Sequence, residues 1–168
     1  MLLCNSSTLT KNGPNSGSPD ELALLHGFKQ LGGFILAKDE TLVRLRLPRG
    51  SEETWAIERM NAFSSERKRM SVVARNVETG EIRLYMKVKI GAISVIQGAD
   101  DSVLPRCAAS PAVLDSVHRS LSRGTQRGYR TMVFASRGYS EESWKGFADR
   151  FASAEIAVKA RDQLLASM

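Results

Sequence analysis

Ile82-Arg83-Leu84-Tyr85-Met86-Lys87-Val88-Lys89-Ile90 is the stretch that decides the fold. Apolar residues alternate with Arg83, Tyr85, Lys87 and Lys89, the period-two pattern of a strand with one buried and one polar face. Glu78-Thr79-Gly80 ahead of it is a turn signal, and Gly91 ends the alternation. Upstream, Phe34 to Ala37, Val43 to Leu47, Trp55 to Phe63 and Arg69 to Arg75 make four more strand candidates. Short connections between them favour antiparallel pairing. Ala92 to Ile96 is a further short candidate, and Thr131 to Ala135 a short buried one.

Helical signals lie on both sides of this strand-rich centre. Residues 5–18, rich in Ser, Thr, Asn and Gly, read as a loop. Ser18-Pro19-Asp20-Glu21 then opens a helix: Ser18 as N-cap, Pro19 at the first position, Glu21 closing a capping box. Leu24, Leu25, Phe28 and Leu31 follow at helical spacing until Gly32-Gly33. Ser110-Pro111 starts a second helix, with Val113, Leu114, Val117 and Leu121 on one face and an end near Gly124. Ser140 caps a third, with Glu141 and Glu142 in its first turn and Trp144, Phe147, Ala148 and Phe151 as its apolar side. A helical pattern continues to Leu165. The expected fold is α+β, one domain over residues 1–168, with an antiparallel twisted sheet flanked by helices.

Composition narrows the function classes. A net charge of +6 favours anionic partners without choosing among nucleic acid, acidic lipid and phosphorylated small molecules. Two cysteines, Cys4 and Cys107, make no disulfide framework and suit a reducing cytosolic setting. His26 and His118 stand alone, so no metal cluster is expected. No apolar run approaches the ~20 residues of a membrane span. The Gly-x-x-x-x-Gly-Lys loop, the Gly-x-Gly-x-x-Gly loop and the Gly-x-Ser-x-Gly elbow are all missing.

Four separated segments carry what signal there is: Ser18-Pro19-Asp20-Glu21, Phe63-Ser64-Ser65-Glu66-Arg67-Lys68-Arg69-Met70-Ser71-Val72, Gly98-Ala99-Asp100, and Gly128-Tyr129-Arg130-Thr131. In this order the chain resembles, over nearly its whole length, the nucleotide-binding domain of the P-type ATPases. The first two strings resemble the phospholipid-flippase branch in particular. The resemblance implies a fragment of a larger membrane ATPase at the cytosolic face of the membrane. It implies partner phosphorylation and actuator domains and a phospholipid substrate. Such a domain binds ATP, with Mg²⁺ carried by the nucleotide, and presents it to an aspartate elsewhere. No catalytic residue is expected in this chain, which is expected to be monomeric and not to hydrolyse ATP alone.

The resemblance also assigns residues. Phe63, by position a strand-end core residue, becomes the aromatic that stacks on adenine. Lys68 reaches the nucleotide as a mobile point charge. Arg130, otherwise a surface arginine flanking a strand, approaches the phosphates. Ser65 is either a turn serine or a hydroxyl for the purine. Glu21 is either the capping-box residue or an acid lining the adenine pocket. Gly98 and Ala99 let the backbone come close to the nucleotide.

Two departures stand out. The family carries lysine before Gly-Ala-Asp, where this chain has Gln97, and residues 88–96 look inserted. Either Lys87 or Lys89 swings in as a substitute cation, although alternation puts both on the strand's polar face, or the insertion displaces the motif. These departures motivate one alternative, a degenerate domain serving as a regulatory or interaction surface. The basic run Arg67-Lys68-Arg69 motivates another, a nucleic-acid binder. No nucleic-acid partner is expected, because few aromatics interleave with the basic residues.

Overall fold

The computed structural model describes residues 2–11, 13–65, 67–90 and 104–156. A six-stranded antiparallel sheet forms the centre, in sequential order from β3 to β8. Its strands are β3 (Phe34–Lys38), β4 (Leu42–Arg46), β5 (Glu52–Asn61), β6 (Arg69–Asn76), β7 (Ile82–Ile90) and β8 (Thr131–Tyr139). A separate two-stranded hairpin, β1 (Thr8–Thr10) with β2 (Gly13–Asn15), precedes α1 (Pro19–Gln30). Two further helices, α2 (Pro111–Gln126) and α3 (Glu141–Ile156), flank β8 in sequence.

The alternation in β7 set the sheet, and the strand runs over the nine residues that alternate. Between β6 and β7 the chain reverses tightly. Gly80 sits at φ 73°, which a side chain would disfavour, and its N–H donates to the Asn76 carbonyl. The Asn76 side chain accepts from the N–H groups of Glu78 and Thr79.

Both faces of the sheet are covered. On the first, Val43, Leu45, Trp55, Met70, Val72 and Ala74 are buried against Leu25 and Phe28 of α1. Leu2, Leu3 and Cys4 pack into the same cluster. On the second, Met86, Val88 and Val133 meet Leu114, Val117 and Leu121 of α2. Val73 and Ile82 meet Trp144, Phe147 and Ala148 of α3. Each such aliphatic side chain contributes roughly 1.5–3 kcal/mol when fully buried.

Several expectations need correction. The Ser-rich start is not simply a loop: it holds the hairpin, and Leu2 to Asn5 and Ser7 are buried. Leu31, placed on the apolar face of α1, is 70% exposed because the helix has already ended at Gln30. Val113 is likewise exposed, and Leu114 takes its place against the sheet. β8 is longer than expected, and only Val133 in it is buried; it is an edge strand with a neighbour on one side only among the described residues. Phe63 lies beyond the end of β5, not within a strand. The candidate strand 92–96 and the helical pattern beyond Ile156 lie outside the described residues.

Candidate functional site

The registers of β6, β7 and β8 bring distant motifs to one end of the sheet. Arg69 opposes Val88, Val88 opposes Val133, and Ile90 opposes Thr131. The loop from β5 to β6, the end of β7 and the residues entering β8 therefore emerge side by side. Phe63, Ser65 and Lys68 sit in that loop, and Arg130 immediately precedes β8.

The loop is folded by its own side chains. The Lys68 N–H donates to the Ser64 carbonyl at 2.8 Å, and the Arg67 N–H to the Ser64 hydroxyl at 3.1 Å. The Arg67 guanidinium turns back, donating to the Ala62 carbonyl at 3.2 Å and the Ser71 hydroxyl at 3.4 Å. Arg69 is buried and donates to the Arg67 carbonyl at 3.3 Å. Burial holds both guanidiniums below their usual pKa, and for Arg69 the nearby Arg106 and Arg67 add to it. The three-cation run thus divides. Arg67 and Arg69 brace the loop, while Lys68 is exposed at φ 52°, the one described non-glycine residue with positive φ. Phe63 is 58% exposed, and Ser65 is exposed as well.

Arg130 is placed by the way α2 ends. Gly128, at φ 73°, donates to the Thr125 carbonyl, and Tyr129 donates to the Gly124 carbonyl. This pair of bonds is a Schellman closure, which needs the left-handed conformation glycine adopts freely. It turns the chain from helix into β8 within four residues. Arg130 leaves this turn exposed, its Nη1 3.4 Å from a carboxylate oxygen of Asp20 in the first turn of α1. Two segments more than a hundred residues apart are thereby tied together.

Glu21 is buried on the first face of the sheet, and its carboxylate is fully engaged. It accepts from the Lys87 ammonium, from the Ser16 hydroxyl at 2.7 Å, and from the Ser6 hydroxyl at 2.8 Å and N–H at 3.2 Å. Burial pushes its pKa up, but the hydrogen bonds from Lys87, Ser16 and Ser6 outweigh that and hold it at about 2. The capping box therefore does not form: Glu21 faces inward, and Ser18 makes no side-chain cap. Lys87 is also corrected. The odd face of β7 is polar in sequence yet covered, and Lys87 is buried in a pair with Glu21, not free to swing. Periodicity registers that a lysine is polar; it cannot register a carboxylate 66 residues away. The same network continues through Lys38, whose ammonium donates to the Asn5 carbonyl and side-chain oxygen.

Two buried polar atoms among the described residues have no hydrogen-bond partner, Arg67 Nε and Thr131 Oγ1. Both lie at this end of the sheet. Gln97, Gly98 and Ala99 lie outside the described residues. Two concavities elsewhere, of about 210 Å³ beside Trp55 and Tyr85 and about 470 Å³ between the hairpin, α1 and β3, contain none of the motif residues.

Residues 1–165 match the family described as P-type ATPase, cytoplasmic domain N. Among curated proteins, the chain is 31% identical over 146 residues to "Probable phospholipid-transporting ATPase IIB" of Mus musculus, covering 87% of this chain and 12% of that protein. It is 34% identical over 157 residues to "Phospholipid-transporting ATPase VB" of Homo sapiens, covering 88% and 10%. It is 29% identical over 151 residues to "Phospholipid-transporting ATPase IH" of Homo sapiens, covering 90% and 12%. The chain thus spans about a tenth of the length of these relatives.

Proposed function

Since this chain belongs to the P-type ATPase cytoplasmic domain N family, we propose that it binds ATP at the end of the sheet where the β5–β6 loop meets the entry to β8. The supporting observation is the exposure of Phe63 at that end, on a braced loop that also exposes Lys68, with exposed Arg130 at the neighbouring entry to β8. A core phenylalanine would be covered; this ring offers a flat apolar surface to a purine.

The residues divide the work. Phe63 stacks on the base, worth about 1–3 kcal/mol in comparable systems. Ser65 offers a hydroxyl at the purine edge. Glu21 closes the purine end of the pocket through Lys87, which it fixes. Lys68 and Arg130 meet the phosphates, Lys68 as a point charge and Arg130 as a fork. Gln97, Gly98 and Ala99 form the remaining wall in this proposal. Mg²⁺ enters with the nucleotide; among the described residues no group of His, Cys, Asp and Glu is placed to hold a metal. The terminal phosphoryl group passes to an aspartate in a separate phosphorylation domain of a longer, phospholipid-translocating protein. This chain's contribution is orientation. One stacked base and two cations on an exposed surface support roughly millimolar binding, or a tenth of that.

The test is an ATP titration followed by amide NMR. Shifts centred on residues 62–68, 97–99 and 128–131 and their strand neighbours support the proposal. No shifts at millimolar ATP, or shifts mapping to the hairpin side of α1, overturn it and return the domain to a regulatory surface.

A further inference from the structure

The concavity of about 210 Å³ beside Trp55 and Tyr85 has a chemistry of its own. Its walls include Phe28, Leu45, Leu47, Trp55 and Tyr85, and the one charged residue lining it among the described residues is Glu53. The Trp55 and Tyr85 rings stand 6.0 Å apart at 78°, so their planes form a corner. Trp55 donates its indole N–H to a Glu53 carboxylate oxygen at 2.8 Å, which fixes the carboxylate beside the rings. The two residues are two positions apart on β5 and share a face of the sheet.

Glu53 is half-buried and makes no ion pair among the described residues. The strand's alternation is the reason. Glu52 points to the opposite face, and Arg44 and Arg46 both meet it there. Arg83, whose charge reaches Tyr85, is held by Glu81 at 2.6 Å. In a chain of net charge +6, an anion in an aromatic pocket is left without a counter-charge. Holding the Trp55 indole requires only an acceptor, which a neutral side chain would supply; it does not account for the charge.

We propose that this pocket binds a small trimethylammonium ion of the choline type. Aromatic faces attract a cation, and quaternary ammonium heads are the ligands such aromatic corners suit. The methyl groups pack against the rings and against Leu45 and Leu47, while Glu53 supplies the opposite charge. A primary ammonium fits less well, because it is compact and strongly hydrated. A calcium or magnesium ion fits less well, because it needs several oxygen ligands and the pocket offers one carboxylate. A head joined closely to a phosphate fits less well, because Glu53 repels the phosphate and no lysine, arginine or histidine of the described residues lines the pocket to receive it. The pocket contains none of the nucleotide motifs, and the proposal stands apart from ATP binding.

Titration of the full 168-residue chain with choline chloride, followed by the indole N–H signals of its two tryptophans in the NMR spectrum, tests this. The Trp55 signal is expected to move, and that of Trp144, in the α3 cluster, to stay in place. Sodium chloride at matched ionic strength is the blank. Dimethylbutanol, the uncharged isostere of choline with carbon in place of nitrogen, is expected to bind about tenfold more weakly. Glu53→Gln keeps an acceptor for the indole and removes the charge. It is expected to weaken choline binding about tenfold while leaving thermal unfolding and ATP-induced shifts unchanged. Should that variant unfold, the comparison of choline with its isostere on the wild type decides. No movement of the Trp55 signal at tens-of-millimolar choline, equal binding of the isostere, or undiminished choline binding by a folded Glu53→Gln overturns the proposal. So does tighter binding of phosphocholine or of a trimethyllysine peptide.

Discussion

The two ends of the sheet are made from the same strands and differ in almost everything else. At the turn end no buried side-chain polar atom of the described residues is left without a partner: Asn76 folds the hairpin, and Arg75 bridges Glu58 and Glu141 at 2.6 Å each. Beneath them Trp144, Tyr139 and Phe147 pack ring on ring, with centroids 5.8–6.2 Å apart. At the motif end, two aromatic rings stand exposed, a lysine holds a left-handed backbone, and both orphaned buried atoms collect. Unsatisfied and strained groups persist where surrounding structure enforces them, and they cluster at functional sites. The turn end is built for stability, and the motif end gives some of it up.

Breaking the turn end gives the largest expected effect. Trp144→Ala removes a buried ring from its cluster and is expected to lower unfolding free energy by about 3–5 kcal/mol, read by urea denaturation, with the ATP affinity of the folded fraction unchanged. A weakened ATP affinity would mean that the two ends are not separate.

Glu21→Gln comes next, because Glu21 belongs to the core and to the motifs at once. It leaves the Lys87 ammonium buried without a counter-charge, at an expected cost of about 3 kcal/mol. Adding Lys87→Met is expected to recover most of that loss. The pH dependence follows from the depressed pKa. The Glu21 contribution is full above its ordinary value of 4.5 and is lost as pH falls from there toward about 2. Stability measured across that interval should drop in the wild type and stay flatter in the double variant.

Phe63→Ala reverses the pattern. ATP binding should weaken by about 1–3 kcal/mol, while stability should move by no more than about 0.5 kcal/mol, since the ring is largely exposed. The smallest effect is expected at Lys68→Gly. Release from the left-handed conformation should raise stability by about 1 kcal/mol, while ATP binding weakens. A stability loss there would show that the backbone conformation is not strained.

Local patterning made much of the frame readable from the residues. The bounds of β7 follow from its alternation, and α1 starts where Ser18-Pro19 announces it. Arg44 and Arg46 face solvent while Val43 and Leu45 are buried, as a half-buried strand requires. What escaped was set by partners distant in sequence. Asn5 and Ser7 lie buried inside a stretch whose composition says loop: Asn5 accepts from the distant Lys38 ammonium, and Ser7 donates to Asn5 in turn. The latter half of β8, Ser136-Arg137-Gly138, shows no apolar rhythm because an edge strand needs only a neighbour's backbone. At the candidate site, the motif residues were nameable from their types and order. The division of labour within Arg67-Lys68-Arg69 became visible only once the loop was folded.

The buried carboxylate–ammonium pair also orders events in time. Glu21 and Lys87 are 66 residues apart, as are Cys4 and the Met70 carbonyl it bonds. Contacts of such separation form late, after loop closure has taken its entropic toll. During synthesis the carboxylate leaves the ribosome several strands ahead of its lysine, so the opening residues cannot settle until the centre of the sheet exists. Of the two segments, the one made earlier is among the last to find its place.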